Sequence, residues 1–193
     1  MTRTEQNREF RRLLDDSPVI AAVKDDAGLR RCLQSECQVV FILYGTLCDI
    51  GEIVAQIHAA GKRAVVHLDL VDGMSPRESS VDFIRSNTEA DGIISTRPNV
   101  IRYARQNGLL AIQRFFIIDS RALENTFRQL DTAPPDIVEI LPGVMPRIIE
   151  TICSKSRVPV IASGLVLDKK DITSALQAGA IGVSSTCPDT WFM

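Results

Sequence analysis

The chain has 193 residues, of which 45% are hydrophobic and 24% charged, and its formal net charge is −2 at pH 7. This size and composition predict a single globular domain, residues 1–193, and the acidic balance excludes a surface that is basic throughout. No apolar run approaches the roughly 20 residues of a membrane-spanning helix, and the first residues lack a signal-peptide core, so a cytoplasmic protein without membrane contact is expected.

The same unit repeats along the chain: a short apolar strand, a turn and an amphipathic helix. An N-terminal helix comes first, over about residues 4–14, with Phe10, Leu13 and Leu14 on its apolar side. The predicted strands are residues 19–23, 39–44, 64–70, 92–96, 110–117, 137–142, 159–164 and 181–186. They are continuous apolar runs, which indicates burial on both faces and therefore a parallel sheet covered by helices.

Eight units of about 24 residues match the lower size limit of a (β/α)8 barrel. The competing open, doubly wound sheet should carry a glycine-rich dinucleotide-binding turn after its first strand, and residues 19–30 (VIAAVKDDAGLR) contain no GxGxxG. Too few residues follow Thr186 for a full eighth helix. The predicted fold class is α/β, a compact (β/α)8 TIM barrel with an N-terminal helix and a truncated or missing eighth helix.

The short last unit leaves one wall of the barrel to be covered. We expect the N-terminal helix, or a partner subunit in a homodimer, to shield this wall. Trp191, the single tryptophan of the chain, would then seal the gap or the interface together with Phe192.

Small and hydroxyl-bearing residues end the last two predicted strands. In barrels of this kind phosphate often binds at the loops after strands 7 and 8. Glycine lets a backbone approach a ligand closely, while hydroxyls, backbone N–H groups and a helix N-terminus attract an anion. Small residues also make tight turns, but two such stretches in these two loops favour a phosphate site. Its candidate residues are Ser163, Gly164, Ser184, Ser185 and Thr186.

Polar residues also interrupt strands 3 and 6. His67 and Asp69 share one face of strand 3, which points into the barrel mouth if the intervening leucine faces the helices. Glu139 lies among apolar neighbours in strand 6, and a buried carboxylate must be paired or hydrogen-bonded. Its candidate partners are Lys24 at the end of strand 1 and Gln113 or Arg114 on strand 5.

Two interpretations of these polar residues stay open. They form either a structural ion-pair network that fills the barrel or a cradle for the hydroxyl groups of a small ligand. The candidates for binding ligand hydroxyls are His67, Asp69, Glu139, Lys24 and Arg114. No cofactor is expected: the five cysteines are scattered without a CxxC, and a magnesium site using Asp69, Asp72 or Glu139 is a less favoured alternative.

Arginines are concentrated in one window of the acidic chain. Residues 97–128 contain six arginines and two acidic residues, a local charge of +4. Arg102 and Arg105 share a face of the helix after strand 4, and Arg121 and Arg128 share a face of the next helix. Because neighbouring barrel helices lie side by side, these four candidates can form a basic stripe that binds RNA phosphates, or they are solvated helix faces.

Seven segments carry a family resemblance: VIAAVKD, HLDLVDG, DGIIST, IQRFFIIDS, EILPGVMPRII, PVIASGL and AGAIGVSST. Over about residues 18–192 the chain resembles the glycerol-3-phosphate-responsive antiterminators, which regulate glycerol uptake operons in bacteria. AGAIGVSST alone resembles many phosphate-binding barrels, whereas DGIIST with IQRFFIIDS and EILPG is specific. The resemblance implies a (β/α)8 barrel that binds glycerol 3-phosphate and acts on leader mRNA, so that transcription passes a terminator.

The resemblance also implies which residues bind the effector. The phosphate would lie against the candidates at strands 7 and 8, and the glycerol hydroxyls would face His67, Asp69 or Glu139. Many family members have two glycines at the end of strand 7 where this chain has Ser163 and Gly164. Ser163 therefore adds a hydroxyl and a Cβ beside the ligand.

Three functions are compatible with these patterns. The first is an RNA-binding regulator in which glycerol 3-phosphate orders the loops after strands 7 and 8, with Trp191 reporting the change. The second is a small barrel enzyme, an isomerase, lyase or prenyltransferase, with His67, Asp69 or Glu139 as acid or base. Against it, no lysine lies within a late strand, and Lys24 is the one strand-end candidate for a Schiff base. The third is a ligand-binding protein that binds no RNA.

Overall fold

The computed structural model describes residues 2–193, and within that range eight parallel strands close into a barrel. Each strand pairs with its neighbours in chain order, and the last pairs with the first. The strands are β1 Val19–Val23, β2 Val39–Ile42, β3 Arg63–His67, β4 Gly92–Ser95, β5 Leu110–Phe116, β6 Ile137–Leu141, β7 Val160–Ser163 and β8 Gly182–Ser185. The predicted TIM barrel is confirmed, although β3 ends at His67 and not at residue 70.

Helices alternate with the strands around the outside of the barrel. They are α1 Arg3–Asp16, α2 Asp26–Cys32, α3 Ile50–Ala59, α4 Glu78–Asn87, α5 Pro98–Gln106, α6 Ser120–Thr132, α7 Pro146–Lys155 and α8 Lys169–Gln177. Two short 3-10 helices follow β3 and β8, at Leu68–Leu70 and Pro188–Phe192. Aspartates begin three of the α-helices, because the carboxylates of Asp25, Asp119 and Asp168 accept hydrogen bonds from backbone N–H groups in the first turn.

The N-terminal helix closes the amino end of the barrel. Phe10 and Leu14 pack among the apolar side chains that fill the barrel interior. Arg3 donates to Asp136 at 2.9 Å, and Glu9 pairs with Arg63 at the start of β3. The expectation that α1 covers the open wall was wrong, because its apolar side packs against the side chains at the amino end of the barrel interior. Its polar side contacts residues at the start of β3 and just before β6.

The 3-10 helix Pro188–Phe192 replaces the eighth helix, as the truncated last unit predicted. Trp191 is buried there, lies against Gly28 and donates from Nε1 to the Ser185 carbonyl at 2.9 Å. A groove of about 490 Å3 remains beside it, lined by α8, the α1–β1 link and the end of the chain. Trp191 therefore seals most of the gap, and the residual groove is uncovered.

Across residues 2–193, every helix is too short or too polar to cross a bilayer.

Candidate ligand site at the carboxyl end of the barrel

A layer of polar side chains lies inside the barrel, above its apolar filling. Successive residues of a strand point alternately into the barrel and toward the helices. The side chains of Val65, Ile112, Ile137 and Ile161 fill the interior, so the residue two positions later in each strand also points inward. Those residues are polar, and β8 adds one more. The polar layer consists of His67, Arg114, Glu139, Ser163 and Ser184.

Arg114 and Glu139 form a buried ion pair in this layer. Arg114 Nε donates to Glu139 Oε2 at 2.7 Å and its Nη2 donates to Oε1 at 3.1 Å. Of the partners considered for Glu139, Arg114 is the one the structure selects, because their backbones are paired in register between β5 and β6. Gln113 faces the other way and donates to Gln129 of α6.

His67 is buried in the same layer with an unsatisfied ring nitrogen. The residue is 2% exposed, and its Nδ1 has no hydrogen-bond partner among residues 2–193. Burial first, and then the charge of Arg114, lowers the pKa of His67 to about 4, against smaller opposing effects of Glu139 and Asp69. His67 is therefore neutral near pH 7, and its free nitrogen can hydrogen-bond to a ligand hydroxyl.

The carboxylate of Asp69 is hydrogen-bonded to other residues of the protein. The chain turns into a 3-10 helix after His67, and the Asp69 carboxylate accepts hydrogen bonds from Ser95 Oγ, Thr96 N and Thr96 Oγ1. Burial alone would raise the pKa of Asp69, but these hydrogen bonds lower it. Asp69 holds the loop after β4 in place, and it follows His67 in a 3-10 helix instead of the continuous strand expected from the sequence.

Among the phosphate candidates, Ser163 and Ser184 meet inside the barrel. Their hydroxyls are hydrogen-bonded at 2.8 Å, and Ser184 Oγ also lies 3.5 Å from Glu139 Oε1. Ser185 faces outward, donates to the Val166 carbonyl at 2.8 Å and accepts from the Cys187 N–H at 3.0 Å. Ser185 thus ties the loops after β7 and β8 together instead of pointing at a ligand.

The loop after β7 has an unusual backbone. Gly164 and Leu165 have φ values of 77° and 62°, and Leu165 is the one non-glycine residue with positive φ in residues 2–193. Within that range, their two backbone N–H groups donate no hydrogen bond. Strained backbone of this kind concentrates at functional sites, and the two N–H groups are available to an anion.

Lys24 and Thr186 lie at the rim of the barrel, on either side of the β1–β8 seam. Both line a cavity of about 290 Å3 whose wall includes Gly28 and Trp191. Its floor includes Ala22, which also belongs to the barrel interior. Lys24 is exposed and forms no ion pair or hydrogen bond with another residue of 2–193, so the suggested pairing with Glu139 is absent.

The four arginines proposed for RNA have different environments. Arg102, Arg121 and Arg128 are exposed on α5 and α6, and their hydrogen bonds include those of Arg102 and Arg128 to nearby asparagines. Arg105 instead pairs with the buried Asp136 carboxylate at 3.1 Å. A cation that the sequence analysis did not single out, Lys155 of α7, lies 5.4 Å from the centre of the Phe127 ring and extends the basic surface.

The side-chain types that bind metals are dispersed in residues 2–193. In the part of the chain that the structure describes, no three His, Cys, Asp or Glu side chains are grouped to hold a metal ion. Asp69 and Glu139, two of the residues considered for magnesium, have their carboxylate oxygens occupied by protein donors.

Comparison with known proteins identifies the family. A family model described as glycerol-3-phosphate responsive antiterminator matches residues 19–191. The uncharacterized protein YgcP of Escherichia coli (strain K12) is 45% identical over 179 residues, which cover 93% of this chain and 94% of YgcP.

Two solved structures have the same fold at about 30% identity. The glycerol uptake operon antiterminator regulatory protein of Listeria monocytogenes strain 4b F2365 has a TM-score of 0.88 at 31% identity and covers 91% of this chain and 95% of its own. A glycerol uptake operon antiterminator-related protein of Thermotoga maritima MSB8 has a TM-score of 0.80 at 30% identity, covering 91% and 98%.

Proposed function

The chain belongs to the family of glycerol-3-phosphate-responsive antiterminators, and on that premise we propose that it is an RNA-binding regulator of transcription whose effector is glycerol 3-phosphate. The effector binds at the carboxyl end of the barrel, and the protein then acts on the leader mRNA of genes for glycerol uptake or metabolism. Membership of a regulator family favours this role over that of an enzyme.

The main support for an effector site in the polar layer is the buried Nδ1 of His67, which has no hydrogen-bond partner among residues 2–193. A buried polar atom without a partner costs about 1–3 kcal/mol, and a ligand hydroxyl removes that cost. Ser163 and Ser184 supply further hydroxyls in the same polar layer. Uncharged hydrogen-bonding groups of this kind suit the glycerol part of the effector, and the N–H groups of Gly164 and Leu165 are further donors at the end of β7.

The RNA surface is assigned to the outer faces of α5, α6 and α7. Arg102, Arg128 and Lys155 are exposed cations on these adjacent helices, and Arg121 extends the surface along α6. RNA phosphates bound there release counterions, so the affinity falls as salt rises. Arg105 takes little part, because its guanidinium is paired with Asp136.

The loop after β7 couples the effector site to the rest of the protein in this proposal. Ser185 joins that loop to the segment that leads into Trp191, and Trp191 Nε1 is bonded to the Ser185 carbonyl. Phosphate capture orders both loops, and an effector changes RNA binding only if it binds one state better than the other. A homodimer that presents two basic surfaces is part of the same proposal.

Direct titration tests the two affinities separately. Purified protein is titrated with glycerol 3-phosphate by calorimetry, and a leader transcript of a glycerol uptake operon is then titrated with protein, with and without the effector. We expect effector binding, tryptophan fluorescence that changes with it, and RNA affinity that depends on it. Sedimentation with and without effector measures the assembly state. Absence of effector binding would refute the assignment of the ligand site.

A double charge reversal, Arg102→Glu with Arg128→Glu, tests the RNA surface. We expect much weaker RNA binding, a smaller salt dependence by about one unit of slope for each lost phosphate contact, and unchanged effector affinity. Arg30→Glu on α2, on the far side of the barrel, is the control for the reversal of one exposed charge, since Arg30 is also exposed. Equal losses in the double variant and the control would rule out this surface.

A further inference from the structure

The cavity at the β1–β8 seam and the polar layer below it differ in charge. We propose that Lys24 holds the phosphate group of the effector, so that the ligand lies with its phosphate at the rim between β1 and β8 and its hydroxyls in the polar layer. This inference deepens the proposed function and rests on it. It gives Lys24 a role other than binding hydroxyls, and it fixes the direction in which the ligand enters.

The polar layer offers no uncompensated charge to a phosphate. The one cation among its members, Arg114, is held by both oxygens of Glu139. His67 is neutral and contributes hydrogen-bonding capacity alone. Moving a doubly charged phosphate out of water into such a layer costs far more than the neutral hydroxyls beside it can return. Hydroxyl groups carry no charge, so their desolvation costs far less, and a hydrogen bond to the free His67 nitrogen offsets it.

The rim cavity contains a cation that is not paired with a carboxylate of the protein. Lys24 makes no ion pair or hydrogen bond within residues 2–193, so its ammonium group is available to an anion. The other cation of the cavity, Arg31, is paired with Asp189 at 3.1 Å and lies 5.3 Å from the Phe192 ring centre. The neighbouring carboxylate of Asp25 is used as a helix cap, accepting from the Gly28 N–H at 2.7 Å.

The volume of the rim cavity suits the phosphate end of a small ligand. The cavity volume of about 290 Å3 lies near the lower end of the roughly 300–1,000 Å3 found for small-molecule pockets. Ala22 lines the cavity and also packs in the barrel interior, which places the cavity at the mouth of the barrel. In the proposed orientation a three-carbon chain has its phosphate beside Lys24 and Thr186 and its hydroxyls directed toward the polar layer.

The test compares Lys24→Met with Lys170→Met, a matched loss of one exposed lysine on α8. Glycerol 3-phosphate affinity is measured by calorimetry, with inorganic phosphate as a competitor. We expect Lys24→Met to weaken effector binding roughly tenfold to a hundredfold, the size of one charge-assisted hydrogen bond, and to abolish competition by phosphate. Lys170→Met should bind as the wild type does, and Lys24→Arg should retain most of the affinity.

A variant of the polar layer tests the orientation. His67→Gln should weaken effector binding while inorganic phosphate, which needs only the rim, competes as well as before. Circular dichroism checks that each variant is folded. If the wild type does not bind glycerol 3-phosphate, the proposed function fails. If the wild type binds and Lys24→Met binds equally well, or Lys170→Met loses as much, the role of Lys24 is overturned and the effector assignment stands.

Discussion

Arg114 and Glu139 are joined by two parallel hydrogen bonds, of 2.7 and 3.1 Å, in the interior of the barrel. The Glu139 side chain is fully buried and that of Arg114 is 9% exposed. Such a pair contributes little net stability, since the desolvation of two charges opposes their attraction. It does keep the polar layer electrically neutral, and removal of one partner leaves a buried charge.

Replacement of Glu139 by Ala should destabilise the protein by about 3–5 kcal/mol, because the Arg114 guanidinium then remains in the barrel without its carboxylate. Urea denaturation measures the free energy of unfolding. The exposed pair Arg31–Asp189 is the control, since its side chains are 52% and 79% exposed. Asp189→Ala should cost less than about 1 kcal/mol. Equal losses of unfolding free energy in the two variants would contradict the prediction that the buried ion pair is harder to break than the exposed one.

His67 should make the fold sensitive to mild acid. Its pKa is lowered from 6.5 to about 4 in the folded protein, so the unfolded chain binds the proton more readily between those values. The stabilisation from the neutral imidazole is therefore complete above about pH 6.5 and is lost as pH falls toward 4, by roughly 3 kcal/mol in total. Asp69, whose pKa lies below 3.8, acts at lower pH.

His67→Gln is the comparison for this pH dependence. The free energy of unfolding, measured by urea denaturation between pH 7 and 4, should fall more steeply in the wild type than in the variant. His58 is present in both proteins and cancels in the difference. Parallel pH profiles would show that His67 titrates normally in the folded state.

Arg105 should be needed for stability more than for RNA binding. Its Nε donates to Asp136 Oδ1, and the Asp136 carboxylate also accepts from Arg3 and from the Ala111 N–H. Arg105→Ala should cost about 1.5–3 kcal/mol, the value of a hydrogen bond to a charged group. Arg102→Ala, on the same helix, should change the unfolding free energy by less than about 0.5 kcal/mol. If Arg105→Ala has the unfolding free energy of the wild type, Arg105 is not needed for stability and is again a candidate for RNA binding.

Trp191 should stabilise the seam where the eighth helix is missing. The side chain is buried against Gly28, and its indole N–H bonds to the Ser185 carbonyl. Trp191→Ala should cost about 3–5 kcal/mol, and Trp191→Phe less, since the ring volume is mostly kept. Thermal and urea denaturation measure both. An alanine variant as stable as the wild type, with the same sedimentation behaviour, would show that the gap needs no seal.

Strand positions were predictable because every strand is buried on both faces. β1 begins and ends at the predicted residues, Val19 and Val23, since Pro18 and the charged Lys24 bound its apolar run. β3 was predicted too long. Its apolar and polar residues continue to alternate after His67, but the chain there follows the hydrogen bonds of Asp69 with the loop after β4, and a local pattern contains no information about a loop distant in sequence.

The site was predictable in its residue types and only partly in its contacts. Serines at the ends of β7 and β8 indicated an anion site, yet alternation turns Ser184 inward and Ser185 outward, which gives them different roles. Register decided that Arg114 and not Gln113 meets Glu139. These outcomes depend on how far each strand is shifted against its neighbour.

By itself, the sequence determined the eight-stranded barrel, the truncated last unit and the family, because apolar periodicity and family segments are properties of consecutive residues. Only the tertiary structure decided that α1 plugs the amino end, that Asp69 and Arg105 are used internally, and that Lys24 stands unpaired beside Thr186. These contacts join residues far apart in the chain, and the closure of β8 onto β1 is what brings them together.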